Sequence, residues 1–163
     1  MRARSLLVLV AVLQFAVSTP LVALQLRTTA EPPPQLIGTW RLNVAKSKFE
    51  SPGREQSETR TYQVSGDRIT MKSSSKNAAG KTMSFSYSAT LDGKWSPMHG
   101  NPNADSISVT AVSGREIKAS ARLHGKASAE STAEVSADGK HLTLTRKMVG
   151  LKGAPTDVLA FDR

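Results

Sequence analysis

The chain has 163 residues, with 22 Lys and Arg against 13 Asp and Glu, a formal net charge of +9, and no cysteine. That length allows one domain, and the missing thiols exclude disulfides, thiolate metal sites, thiol catalysis and a lipid anchor on an N-terminal cysteine. The basic residues are scattered, so the charge is read as solubility with weak contact to an anionic envelope surface, and nucleic acid is excluded as a partner.

Residues 1–30 carry Arg2, Arg4 and Arg27 and no acid. Arg2 and Arg4 form a positive start, Ser5 to Val17 is an apolar run, and Ala16-Val17-Ser18 offers small residues for cleavage. This is the pattern of a secretory signal helix, so the mature protein is expected to be periplasmic or extracellular. An uncleaved N-terminal membrane anchor is the alternative, because Ser5 to Leu26 approaches the roughly 20 residues of a membrane span; Gln14, Ser18, Thr19, Pro20 and Gln25 interrupt it. Residues 31–35 belong to a Pro-rich linker in which Pro32, Pro33 and Pro34 favour extended geometry and remove backbone donors.

The domain spans 36–163, where short alternating runs are separated by turn signals, the pattern of an antiparallel meander. Strands are predicted at 36–45, 56–64, 68–75 and 81–91, with a loop over 46–55. The fourth alternates most clearly: Met83, Phe85, Tyr87, Ala89 and Leu91 share one face, and Ser84, Ser86, Ser88 and Thr90 the other. Asp92-Gly93-Lys94 reads as a turn, and Trp95 to Asp105 as the longest irregular segment, with Pro97, Gly100 and Pro102. Further strands are predicted at 106–112, 115–123, 127–135, 141–149 and 156–163. About nine strands, within a range of 8–10, at this spacing imply one all-β barrel whose closure removes exposed edges.

Gly38-Thr39-Trp40 resembles the first strand of lipocalins and fatty-acid-binding proteins, the calycin group, and Gly66 to Ser73 is similar to a strand of the latter. Residues 38–49 (GTWRLNVAKSKF), 92–105, 138–145 and 158–163 more closely resemble a group of small secreted bacterial proteins. The resemblance implies a calycin-like barrel. Two features of fatty-acid-binding proteins are missing: a helical lid after the first strand, where only Lys46–Glu55 stands, and a C-terminal Arg-x-Tyr carboxylate clamp, whose matching positions hold Leu159 and Phe161.

Trp40 is expected to plug the closed end, with its N–H needing a partner. Arg60 shares strand parity with Tyr62 and Val64, and Arg146 with Leu142, Leu144 and Met148. If those apolar residues face inward, each guanidinium either meets an internal carboxylate or awaits an anionic ligand, unless its long stem carries it to water. Trp95 and His99 are candidates for a barrel-mouth loop. Asn101, Asn103 and Asp105 alternate oxygens, but one carboxylate is too few for calcium, so they read as turn formers. The isolated His99, His124 and His141 have no metal-ligand spacing, and the serines are expected on outward faces.

No nucleophile elbow, phosphate loop or carboxylate pair stands on a recognised motif, so the expectation is a non-enzymatic protein with no metal or cofactor. It holds a small apolar or amphipathic molecule against Tyr62, Phe85, Tyr87, Leu142 and Leu144, with Arg60 or Arg146 as polar anchor. The alternative is a structural or interaction protein of the cell envelope, its barrel filled by its own side chains, a reading that the aromatic content of 5% favours.

Overall fold

An alternating strand has to bury one face, and a closed sheet does this for every strand at once while leaving no edge unpaired. In the computed structural model, which describes residues 31–163, ten antiparallel strands form such a barrel. They are β1 (Gly38–Lys48), β2 (Glu55–Ser65), β3 (Arg68–Asn77), β4 (Thr82–Thr90), β5 (Asp92–His99), β6 (Ser106–Ser113), β7 (Glu116–Leu123), β8 (Lys126–Val135), β9 (His141–Lys147) and β10 (Thr156–Asp162). Each pairs with the next, and β10 returns to β1. The signal helix and its cleavage site lie outside the described residues.

Turns at 66–67, 114–115 and 136–140 mark one end of the barrel, and the connections 49–54, 78–81, 100–105 and 148–155 mark the other. The first end is plugged. Pro34–Leu36 makes one 3-10 turn, which folds Leu36 beneath Trp40, and both are fully buried. The Trp40 indole N–H donates to the Leu36 carbonyl at 2.8 Å, satisfying the one polar group of a large apolar side chain. Arg163 stacks its guanidinium 4.8 Å from the Trp40 ring centre and donates to the carbonyls of Gln35 and Ile37 at 2.8 and 2.7 Å. Arg163 thus ties the Pro34–Leu36 turn to the barrel floor.

The structure corrects three sequence expectations. First, β5 occupies the predicted turn at 92–94 and half of the predicted irregular segment, which brings the count to ten, within the expected range. Ser96 and Met98 point inward and Trp95, Pro97 and His99 outward. Backbone N–H groups alternate sides along a strand, and that of Met98 bonds toward the β6 side, to Asp105, at 2.8 Å. The nitrogen of Pro97 therefore faces β4, where β5 forms only the Ser86–His99 and Tyr87–Met98 pairs, so no ladder bond is lost. Second, Val64 keeps the parity of Tyr62, opposite the buried Ile69, but at the end of β2 it stands 45% exposed at the barrel rim rather than in the core. Third, Ser73, Ser75 and Ser96 are buried rather than outward. Ser73 and Ser75 continue the inward face of Ile69 and Met71 on β3.

Candidate functional site

Strand register stacks the interior into layers. Tyr62 of β2 stands opposite Met71, Met71 opposite Tyr87, and Tyr87 opposite Met98. One layer nearer the open end, Arg60 stands opposite Ser73, and Ser73 opposite Phe85. Across the barrel, Leu159 faces Leu144, which faces Ala133, and Asp157 faces Arg146, which faces Ser131. Small residues on β7 and β8 (Ala119, Ala121, Ala129, Ala133) leave space that the larger residues of β2 to β5 do not fill.

The result is an internal cavity of about 110 Å³. An apolar protein cavity of roughly 150 Å³ accommodates benzene, so this space suits a ring or a short alkyl segment. It continues into a recess of about 690 Å³ at the open end, and Met83, Asn103, Ser128, Arg146 and Met148 line both. Four methionines, Met71, Met83, Met98 and Met148, stand in the inner wall. Their unbranched, rotatable side chains can re-pack around an occupant.

Two ion-pair networks sit in or beside this apolar wall. In the first, the Arg60 Nε–H donates to Glu58 Oε1 at 2.7 Å, and the Ser73 hydroxyl donates to the same oxygen at 2.7 Å. Glu58 is 3% exposed and Arg60 6%, and Glu58 Oε2 has no partner. The guanidinium lies between aromatic faces, 5.6 Å from the Phe161 ring centre and 5.8 Å from that of Phe85. Burial works against the charge on Arg60, but the Glu58 carboxylate, with Tyr62, outweighs it and holds the guanidinium above its ordinary pKa. Burial also pushes the Tyr87 phenol upward, reinforced by Tyr62 and opposed by Arg60.

The second network ties the mouth. Arg146 donates to Asp157 Oδ2 at 2.7 Å and to Glu55 Oε1 at 3.2 Å. Asp157 also accepts the backbone N–H groups of Glu50 and Ser51 at 2.9 and 3.0 Å, and the Ser51 hydroxyl. Burial raises the pKa of Asp157, yet the donors from Ser51, Arg146 and Glu50 more than reverse this and hold it at about 2. Asp157 therefore stays ionised and pins the β1–β2 connection to the barrel wall.

Six of the seven residues expected to line a ligand site, Arg60, Tyr62, Phe85, Tyr87, Leu144 and Arg146, stand on the cavity wall. Leu142 does not: it is buried toward the plugged end, opposite Val135 and Phe161. Trp95 and His99 do not form a mouth loop. They are outward residues of β5, and Trp95, 41% exposed, lies 3.8 Å beneath the Arg122 guanidinium on the outer wall. Asn101 Oδ1 accepts the Asn103 N–H at 2.9 Å, a local turn. Of the alternatives open for the two arginines, both meet internal carboxylates.

Those carboxylates were missed. Glu55 and Glu58 are three residues apart, which in a regular strand puts them on opposite faces. Glu58 shares the parity of Arg60 and Tyr62, and a bulge between Glu55 and Ser57 brings Glu55 to the same inward side. Asp157 carried a readable signal, since it shares the parity of Leu159 and Phe161 on β10.

No family model matches the chain, and no curated protein matches it either. Solved structures do. A Schistosoma mansoni fatty acid binding protein in complex with arachidonic acid superposes with a TM-score of 0.57 at 14% identity, over 82% of this chain and 98% of that one. A zebrafish ileal bile acid-binding protein complexed with cholic acid gives 0.52 at 15%, over 79% and 98%. The fold is calycin-like. Identity at this level speaks for the shared barrel alone.

Proposed function

We propose that this protein is a non-enzymatic carrier that holds a small apolar or amphipathic molecule inside its barrel, and that it does so outside the cytoplasm after loss of its N-terminal apolar segment. The observation that carries the reading is the inner cavity. It has mainly apolar walls, a few placed polar groups, and continuity with an open recess, the general form of a small-molecule site. The calycin-like neighbours, described as complexes with arachidonic acid and with cholic acid, support the same class of occupant.

The test is uptake of an uncharged fluorescent naphthylamine by the purified full chain, compared with Ala121→Leu. Ala121 lines the cavity, and a leucine there adds three carbons to a space of about 110 Å³. Saturable uptake that the variant loses while keeping its unfolding midpoint supports internal binding. Absence of uptake by the parent, or equal uptake by the variant, overturns it. Secretion is tested separately, by mass spectrometry of the N-terminus of protein recovered from outside the cytoplasm of its host.

A further inference from the structure

A ligand that enters this cavity meets the polar cluster on β2. The cluster presents a guanidinium, which by itself would attract an anion. Its surroundings say otherwise. Arg60 already donates Nε–H to Glu58 Oε1, which the Ser73 hydroxyl also reaches, and the second Glu58 oxygen is buried without a donor, so no second cation shares the negative charge beneath Arg60. A ligand carboxylate at hydrogen-bond distance from the outer guanidinium nitrogens would lie roughly twice as far from Glu58. Because Coulomb energy falls as 1/r, Glu58 cancels about half of that attraction. What remains must offset the desolvation of an ionised group carried into an apolar chamber.

The mouth adds to this. Arg146 is the guanidinium shared by cavity and recess, and it is held by two carboxylates, Glu55 and Asp157. Two arginines thus stand against three carboxylates around the path from mouth to inner cluster. Lys126 and His124 line the outer recess but are exposed, where solvent and salt screen them. An uncharged hydroxyl or amide escapes the carboxylate's penalty. It can still accept from Arg60 and exchange hydrogen bonds with the phenols of Tyr62 and Tyr87, which line the same chamber.

We propose, resting on the ligand-binding reading above, that the cavity selects an uncharged amphiphile and discriminates against the carboxylate of the same chain length, with Glu58 as the residue that sets this preference. Glu58 is a specificity residue acting through Arg60. It is not itself part of the cavity wall.

The experiment displaces the uncharged naphthylamine from the full chain with 1-decanol and with decanoate at pH 8, in the parent and in Glu58→Gln. Glutamine keeps an oxygen for Arg60 and Ser73 and removes the charge. In the parent, decanol is expected to bind at least about tenfold more tightly than decanoate, a difference of about 1.4 kcal/mol or more. In Glu58→Gln the decanoate-to-decanol ratio is expected to shift toward decanoate by about tenfold or more, since the retained guanidinium is no longer neutralised.

Decanoate binding as tightly as decanol in the parent overturns the proposal, and needs no variant to fold. A decanol preference that is unchanged in a folded Glu58→Gln also overturns it, because an apolar chamber alone then explains the selectivity. If the probe itself does not bind, the carrier reading fails and this inference with it. If the probe binds and decanoate wins, only this inference fails.

Discussion

Asp157→Asn is the sharpest probe of how the mouth is held. The side chain is 0% exposed and accepts four hydrogen bonds, from two backbone amides, one hydroxyl and one guanidinium. Its pKa of about 2, against an ordinary 3.8, corresponds to about 2 kcal/mol favouring the folded state, at roughly 1.4 kcal/mol per tenfold change in proton affinity. The folded pKa is depressed, so this contribution is fully present above about pH 4 and disappears as pH falls toward 2. An asparagine must turn its NH2 toward at least one donor and leaves Arg146 with Glu55 alone, so the expected loss at pH 7 is about 2–4 kcal/mol. The assay is urea unfolding of parent and variant at pH 7, 5, 4, 3 and 2. The gap between them should narrow by about 2 kcal/mol between pH 5 and 2, with the β1–β2 connection becoming protease-sensitive in the variant at pH 7. A gap that stays constant with pH, or a loss below about 0.5 kcal/mol at pH 7, would refute the assignment of Asp157 as the charged anchor.

Three further outcomes follow from the same structure. Trp40→Ala removes the fully buried plug and its bond to Leu36, and should cost about 3–5 kcal/mol in urea unfolding. Arg163→Ala releases the carbonyls of Gln35 and Ile37 and uncovers the Trp40 ring; it should accelerate hydrogen exchange at the Leu36 amide while leaving β6 and β7 protected. Gly100→Ala should lower the thermal midpoint sharply, because φ is +82° and an added methyl carbon would sit 2.3 Å from the Ser84 carbonyl oxygen; the dihedral alone costs about 1–3 kcal/mol.

The fold was legible wherever alternation ran unbroken. On β4 and the residue after it, Met83, Phe85, Tyr87, Ala89 and Leu91 read as one inner face and are turned inward in the barrel. It was hidden where turn residues sit inside a strand. Pro97 and Gly93 disguise β5, and Pro97 is tolerated only because β4 and β5 part company there.

The site was legible by its cations and apolar wall; of its anions, Glu58 and Asp157 carried parity signals on β2 and β10, and Glu55 did not. Parity arguments assume constant register, and the β2 bulge breaks it just before Ser57, which brings Glu55 to the side that Glu58 already occupies. That displacement has a chemical consequence. Without the bulge, Glu55 would point outward, and Arg146 would lose one of its two carboxylates. The bulge is thus what makes the mouth carry more negative than positive buried charge. The share of the ligand preference that the mouth contributes is therefore set by one extra residue, Gln56, in the backbone of β2 rather than by the choice of side chains on the cavity wall.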